Sequence, residues 1–223
     1  MQQKLILKLK NIRAVLWDLD GTLLDTVDLH WQAWQRILSE HHIPLTHETF
    51  LPTFGLRNDA FIPMFLGKQV SSAEIERIGD DKERIFRELL HLSPLELMPG
   101  VMQLLDIFQH QGWQQAIATM TPYENLAAIL EKLPIHSYFD VLVTGEQVQK
   151  GKPAPDIFLL AAEQLGVEAQ QCMVIEDTPM GIEAAQAGGM LAVGIGAAFA
   201  AGCGDLFMPN LEAVAEVFQG LLN

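Results

Sequence analysis

The chain has 223 residues, of which 49% are hydrophobic, so it can bury a sizeable core in one large domain or in a core domain with a smaller insertion. Its 14 Lys and Arg against 28 Asp and Glu give a formal net charge of −14, which disfavours nucleic acid and anionic membranes as partners. We expect neither a signal peptide nor a membrane span. The two cysteines, Cys172 and Cys203, show no metal or redox spacing. We therefore expect a cytoplasmic protein with reduced thiols.

Short apolar runs alternate with helical patterns along most of the chain, beginning with a predicted strand at Ala14–Trp17. After Pro99 the predicted strands are Gln115–Ala118, Val141–Thr144, Met173–Ile175 and Leu191–Ile195. The predicted helices are Val101–Gln111, Tyr123–Lys132, Asp156–Leu165, Gly181–Ala187 and Leu211–Leu222. This alternation predicts an α/β fold with a doubly wound parallel sheet.

Residues 27–96 interrupt the alternation with helical patterns and no convincing strand. The helical patterns are His30–His41, Ala73–Ile78 and Lys82–Leu90, and Leu92–Pro99 reads as the linker that returns to the sheet. The sequence therefore predicts a core formed by 1–26 and 97–223, with an all-helical insertion at 27–96.

Polar side chains follow the predicted strands at the edge where ligands bind in open α/β sheets. They are Asp18 and Asp20 after the first strand, Thr119, Lys152, and the pair Glu176-Asp177. If the sheet is correct, these groups converge on one crevice. From Met98 onward the only basic residues are Lys132, Lys150 and Lys152, so a lysine in this crevice would be conspicuous.

The residue types at this edge indicate phosphate chemistry that depends on a metal ion. Asp18 and Asp177, with Glu176 beside them, offer oxygen ligands that suit Mg²⁺. Lys152 would neutralise a phosphate and Thr119 would donate a hydrogen bond to it. Asp18, ionised beside the metal, could attack phosphorus, while Asp20, farther away, could stay protonated and serve the leaving oxygen.

Four ordered motifs resemble those of the haloacid dehalogenase (HAD) superfamily. They are Asp18-Leu19-Asp20-Gly21-Thr22, Thr119 within Ala116–Thr119, Lys152-Pro153-Ala154-Pro155-Asp156, and Glu176-Asp177-Thr178-Pro179-Met180-Gly181. The resemblance implies a Rossmann-like core with Asp18 as nucleophile and Asp20 as general acid/base. It also implies Mg²⁺ held by Asp18, the Asp20 carbonyl and Asp177, and identifies the helical insertion as a C1-type cap over the substrate.

Within that superfamily the chain is similar to β-phosphoglucomutases and sugar-phosphate phosphatases. The similarity lies in the His-x-x-Ala-Trp run at His30, in Gly55-Leu56-Arg57, which is one residue shorter than in the mutases, and in Lys82. Met120-Thr121-Pro122 departs from the Ser-Ala-Ser-Lys run of mutases and favours a phosphatase. The resemblance makes Thr119, Met120, Lys152, Arg57, His30 and Lys82 candidates for binding substrate or phosphate.

Structural roles compete with these assignments. Asp25 is interpreted as a helix cap, Glu176 as either metal support or a helix N-terminal acid, and Arg57 and Lys82 as either binding residues or solvated surface. The leading hypothesis is a Mg²⁺-dependent phosphatase of a small phosphorylated metabolite, expected to be a sugar phosphate, acting as a monomer or weak homodimer. The alternatives are a β-phosphoglucomutase and an inert module that binds a phosphorylated metabolite.

Overall fold

The structure, a computed structural model, describes residues 9–196 and 204–222, so Cys203 lies outside the described residues. Its centre is a six-stranded parallel sheet with the strand order β3-β2-β1-β4-β5-β6. The strands are β1 (Ala14–Trp17), β2 (Gln114–Thr119), β3 (Val141–Thr144), β4 (Cys172–Glu176), β5 (Leu191–Ile195) and β6 (Leu206–Met208). The chain order reverses beside β1, which places a topological switch point there.

Nine α-helices are described in residues 9–196 and 204–222, four in the insertion that follows β1 and five around the sheet. The first four are α1 (Val27–Glu40), α2 (His47–Phe50), α3 (Asn58–Leu66) and α4 (Ser72–Leu92). The others are α5 (Val101–His110), α6 (Tyr123–Lys132), α7 (Asp156–Leu165), α8 (Pro179–Ala187) and α9 (Leu211–Leu222). The predicted α/β class, with a Rossmann-like parallel sheet, is confirmed.

Both faces of the sheet are buried, which explains why its strands are continuous apolar runs rather than alternating ones. Successive side chains of a strand point to opposite faces, so Val15 and Trp17 join one hydrophobic cluster while Ala14 and Leu16 join the other. The indole Nε1 of Trp17 donates to Gln115 Oε1 at 3.1 Å, which satisfies the polar atom of this buried ring.

The helical insert, which we define as residues 27–92, contains no strand and is joined to the sheet by two neighbouring crossings. Leu24 and Leu97 form an antiparallel bridge, and Met98 N donates to Leu23 O at 2.9 Å. An aromatic core holds the insert together: the rings of Trp34 and Phe61 stack with their centroids 4.0 Å apart. The insert can therefore keep its own packing while two short segments connect it to the sheet.

The structure corrects the predicted elements in four places. The two helices predicted at Ala73–Ile78 and Lys82–Leu90 are one helix, α4. Gly79 does not interrupt it but allows close packing, because a Cβ there would lie 3.0 Å from Asn58 Nδ2. Helix α2, helix α3 with its internal Pro63, and the short edge strand β6 were not predicted. None of the described helices is both long and apolar enough to traverse a bilayer.

Candidate active site

A cavity of about 850 Å³ lies between the carboxyl edge of the sheet and the helical insert. Nine of the ten candidate site residues line it: Asp18, Asp20, His30, Arg57, Lys82, Thr119, Met120, Lys152 and Glu176. The tenth, Asp177, lies against Asp18 and Glu176. The topology thus brings together groups that are separated by more than 150 residues in the chain.

Lys152 forms buried ion pairs with two of the acids. Its Nζ lies 2.5 Å from Asp18 Oδ1 and 2.7 Å from Glu176 Oε1, and its side chain is 5% exposed. Burial alone would lower the pKa of Lys152, but the charges and hydrogen bonds of Asp18 and Glu176 outweigh it and raise that pKa. The ammonium is therefore a fixed positive charge at the floor of the cavity.

Asp18, Glu176 and Asp177 form the acid cluster, with one carboxylate oxygen of each lying within 4.8 Å of the others. Burial raises the pKa of Asp18 well above its usual value, and although Lys152 opposes this shift, Glu176 and Asp177 add to it. Burial and Glu176 raise the pKa of Asp177 to about 7, against a hydrogen bond donated by Thr22 at 3.0 Å. Such crowding of buried hard oxygen atoms fits a divalent cation such as Mg²⁺.

Two glycines make room for these carboxylates. Gly21 has φ of +90°, and a Cβ there would lie 2.1 Å from Asp177 Oδ2. At Gly181 a Cβ would lie 1.8 Å from Glu176 Oε1. The other oxygen of Glu176 accepts hydrogen bonds from the N–H and hydroxyl of Thr178 at 2.7 and 2.9 Å. Glu176 is thus both a partner of Lys152 and an anchor for the start of α8.

The carboxylate of Asp20 lies apart from the acid cluster and has its own partners. Thr26 donates to Oδ1 at 2.5 Å, Thr121 donates to Oδ2, and His30 Nε2 lies 3.5 Å from Oδ1. Burial opposes ionisation, but His30 and the two hydroxyls outweigh it and lower the pKa of Asp20 to about 2. The pKa shifts of the two acids thus run in opposite directions, lowered for Asp20 and raised for Asp18, while the roles expected of them beside a metal ion stay a prediction.

His30 and Lys82 lie in the insert directly above Asp20. Lys82 is buried, with its Nζ 2.8 Å from His30 Nδ1 and near the faces of Trp34 and Phe86. Burial and the charge of Lys82 lower the pKa of His30, against the opposing effect of Asp20. The interpretation of Lys82 as solvated surface is wrong, because the helix α4 turns this side chain into the cavity.

Arg57 reaches from the insert to the loop after β3. Its Nη1 donates to the carbonyls of Gly145 and Val148 at 3.3 and 3.1 Å, and its Nη2 lies 3.2 Å from Asp59 Oδ2. Gly151 packs so closely here that a Cβ would lie 2.8 Å from Arg57 Cδ. Arg57 is therefore a bridge between the two sides of the cavity as well as part of its lining.

The end of β2 presents Thr119 and Met120 to the cavity. Thr119 is buried, and its Oγ1 accepts a hydrogen bond from Thr121 N at 3.1 Å, which fixes the hydroxyl. Met120 packs against Gly151, with its sulfur 3.1 Å from where a Cβ would be. Asp25, interpreted as a helix cap, accepts from Val27 N at 3.1 Å just before α1, but the N-cap residue itself is Thr26.

The sequence reasoning missed several residues that contact the site. They are Thr26 and Thr121, which donate to Asp20, Glu83, which bonds Lys82, and Asn58 and Asn125, which donate to Glu83. Thr121 lies in the Met120-Thr121-Pro122 run and Thr26 lies six residues after Asp20, so their places in the chain carried a signal. Glu83 and the two asparagines come from three different helices, and only the tertiary structure brings them together.

The geometry of this site agrees with comparisons to known proteins. A family model described as haloacid dehalogenase-like hydrolase matches residues 12–189. The chain belongs to this family. The phosphorylated carbohydrates phosphatase of Thermotoga maritima is 33% identical over 183 residues, which cover 80% of this chain and 82% of that protein. The β-phosphoglucomutase of Bacillus subtilis is 32% identical over 191 residues, covering 83% and 84% of the two chains.

Solved structures show the same fold for this HAD-like hydrolase. A β-phosphoglucomutase from Clostridium difficile superposes with a TM-score of 0.84 at 24% identity, covering 95% of this chain and 99% of that one. The family and its phosphatase and phosphomutase members are consistent with an enzyme that acts on phosphoric monoesters.

Proposed function

We propose that this chain is a Mg²⁺-dependent phosphatase that hydrolyses a small sugar phosphate through an aspartyl-phosphate intermediate on Asp18. The observation that carries the proposal is the buried Asp18–Lys152–Glu176 arrangement at the floor of a cavity about 850 Å³ in volume. That cavity suits a small metabolite rather than a macromolecule. The phosphorylated carbohydrates phosphatase of Thermotoga maritima supports the choice of substrate class.

The acid cluster would hold the Mg²⁺ ion through Asp18 and Asp177, with Glu176 as a third oxygen donor or as support. The Asp20 carbonyl remains a further predicted ligand. When bound, the ion supplies positive charge that offsets the clustered carboxylates and the substrate phosphate.

The protein's own residues divide the chemistry among them. Asp18 attacks the phosphorus atom, while Lys152 and Thr119 bind the phosphate oxygens and stabilise the charge of the transition state. The negative charge of bound phosphate favours the protonated form of Asp20, which gives its proton to the leaving alcohol. Asp20 then accepts a proton from the water that hydrolyses the aspartyl phosphate.

We propose that residues 27–96 act as a cap over a core formed by 1–26 and 97–223. Several observations support this division: the insert covers the strand ends, two short segments join it to the sheet, and Arg57 bonds the loop after β3. Arg57, His30, Lys82 and Met120 would contact the part of the substrate beyond the phosphate. Closure of such a cap would exclude bulk water during phosphoryl transfer.

A β-phosphoglucomutase is the second candidate, because one relative with that activity is 32% identical to this chain. The phosphatase is preferred because Met120-Thr121-Pro122 places no lysine beside Thr119. A screen of phosphorylated metabolites with Mg²⁺, reading free phosphate and product identity together, distinguishes them. We expect stoichiometric phosphate release from a sugar phosphate. Isomerised hexose phosphate without net phosphate loss would favour the mutase, and inertness would favour a binding module.

We further propose a cytoplasmic enzyme that works as a monomer or weak homodimer, without nucleic acid or membrane partners. The net charge of −14 supports the exclusion of polyanionic partners. Light scattering across a concentration series is expected to give a mass between that of one chain and that of a dimer.

A further inference from the structure

A buried charged side chain next to the site has no role in the mechanism above. Glu83 follows Lys82 on α4, and only 8% of its side chain is exposed. Both of its carboxylate oxygens lie 3.0 Å from Lys82 Nζ. Burial of a carboxylate costs free energy unless the group is paired and fully hydrogen-bonded, so the partners of Glu83 must compensate that cost.

The surroundings of Glu83 supply donors from both sides of the cavity. Asn58 of the insert donates its amide to Oε1 at 2.9 Å, and Asn125 of α6, beside the sheet, donates to Oε2 at 2.6 Å. Each oxygen thus receives an amide N–H and faces the ammonium of Lys82. Glutamine could not replace this group, because one end of its amide is a donor and would face another donor.

Lys82, which Glu83 holds in place, in turn constrains the hydrogen bonding of His30. An ammonium group has three donors and no acceptor, so the 2.8 Å contact requires His30 Nδ1 to accept the hydrogen bond. The proton of the neutral ring therefore sits on Nε2, which lies 3.5 Å from Asp20 Oδ1. Because Glu83 holds Lys82, it also fixes which nitrogen of His30 faces Asp20 as a donor.

We propose that Glu83 is a positioning residue for Asp20. Its carboxylate fixes Lys82, Lys82 fixes the tautomer and orientation of His30, and His30 orients the carboxyl of Asp20. Because Asn125 belongs to the core helix α6, the full arrangement exists only while the insert and the core are in contact. This inference rests on the proposed function, in which Asp20 protonates the leaving group.

The test compares leaving groups in the variant Glu83→Gln. Phenyl phosphate and 4-nitrophenyl phosphate have nearly the same shape, but phenolate is the poorer leaving group and depends more on a proton from Asp20. The ratio kcat/KM covers the steps up to transfer of the phosphoryl group. We expect Glu83→Gln to lower kcat/KM at least about tenfold for phenyl phosphate, and only about twofold for 4-nitrophenyl phosphate.

Glu88→Gln is the matched control, because Glu88 is exposed on the same helix and does not line the cavity. Glu88→Gln should leave kcat/KM unchanged for both phenyl phosphate and 4-nitrophenyl phosphate. An equal loss on both substrates in Glu83→Gln would overturn the positioning role while leaving the phosphatase intact. Absence of phosphate release by the wild-type protein from a panel of sugar phosphates with Mg²⁺ would instead contradict the proposed function.

Asn125→Ala provides a second variant if Glu83→Gln does not fold. Asn125 itself does not line the cavity, although it accepts a hydrogen bond from Arg87, which does. We expect a smaller loss with the same selectivity, and a loss that is equal for both substrates would overturn the proposal.

Nitrogen NMR of the histidine rings gives a readout that is independent of turnover. The ¹⁵N shifts of His30, assigned by their loss in His30→Gln, should report a proton on Nε2 in the wild type. In Glu83→Gln we expect a mixture of tautomers. A proton on Nδ1 in the wild type, or an unchanged Nε2–H tautomer in the variant, would overturn the proposal.

Discussion

Asp177 is a residue whose ionisation is unfavourable without a cation. Burial and the neighbouring Glu176 raise its pKa to about 7, and the pKa of Asp18 in the same cluster is raised as well. A metal ion binds the ionised carboxylates, so protons compete with it below that pH. The metal affinity of the cluster should therefore depend on pH in a range where most aspartates do not titrate.

We expect the dissociation constant for Mg²⁺ to be at least about tenfold higher at about pH 6 than at about pH 8. The sign follows from protonation: as pH falls through 7, Asp177 becomes neutral and a proton must leave before the ion binds. Isothermal titration calorimetry in two buffers of different ionisation enthalpy measures both the affinity and the proton release. Equal affinities at the two pH values would contradict this expectation.

At the residue scale, the functional side chains at strand ends could be predicted from the sequence, but the side chains that hydrogen-bond to them could not. Asp18, Asp20, Thr119 and Lys152 follow strands, and the parallel sheet dictates that such residues meet. Protonation could not be predicted, because the low pKa of Asp20 depends on two hydroxyls and a ring from two segments that are distant in the chain.

At the scale of elements, the contact between α4 and α6 joins the insert to the core near the return linker. Lys132, at the end of α6, donates to the carbonyls of Leu90 and Ser93 at 2.6 and 2.8 Å. These carbonyls lie at the C-terminal end of α4, where a cation is favourable. Lys132, one of the three lysines that follow Met98, therefore binds the C-terminal end of α4.

Lys132→Ala is expected to lower the free energy of unfolding by about 1 kcal/mol, since exposed carbonyls at the helix end lose a charged donor. Urea denaturation followed by circular dichroism measures the change. Lys150→Ala, at an exposed lysine of the same half, should stay within about 0.5 kcal/mol of the wild type. If both variants behave alike, Lys132 does not stabilise the end of α4.

Elements were predictable where local pattern and tertiary packing agree. Strands β1 to β5 were predicted because their mostly buried positions leave apolar runs. The edge strand β6 has three residues and no fully buried position, so it carries little signal. The prediction left a gap in helix α4 at residues 79–81, where Gly79 has no side chain and packs closely against Asn58.

At the scale of the whole molecule, the net charge of −14 opposes the approach of an anionic substrate. The site overcomes this locally, with Lys152 at the cavity floor and a cation expected beside it. Long-range repulsion between exposed charges is screened by salt, whereas buried ion pairs are screened much less. Ionic strength should therefore change association more than chemistry.

With Mg²⁺ held at saturation, we expect kcat/KM for a sugar phosphate to rise about twofold between about 10 and about 150 mM KCl. The value of kcat at saturating substrate should stay constant across the salt series, because the ions of the medium do not reach the buried pairs. Initial rates across a salt series check both parameters. A steep fall of kcat/KM with salt would indicate attractive steering and contradict the expectation.

The strand-end crevice and the insertion between β1 and β2 could both be predicted from the sequence, since they follow from chain order. How the insert meets the core could not, because Arg57 and Glu83 find their core partners only through tertiary packing. The whole molecule thus combines a proposed nucleophile at the edge of the sheet with partners supplied by the insert.

Substitution of Asp18 tests the covalent mechanism most directly. Asp18→Asn keeps the shape of the side chain but removes the nucleophilic carboxylate, and Asp25→Asn is the control, since Asp25 is an exposed cap in the same segment. With Mg²⁺ and a sugar phosphate, we expect folded Asp18→Asn to release phosphate at least about 10³-fold more slowly than wild type, and Asp25→Asn to release it at nearly the wild-type rate. Phosphate release by Asp18→Asn at a rate close to that of Asp25→Asn would contradict Asp18 as the nucleophile.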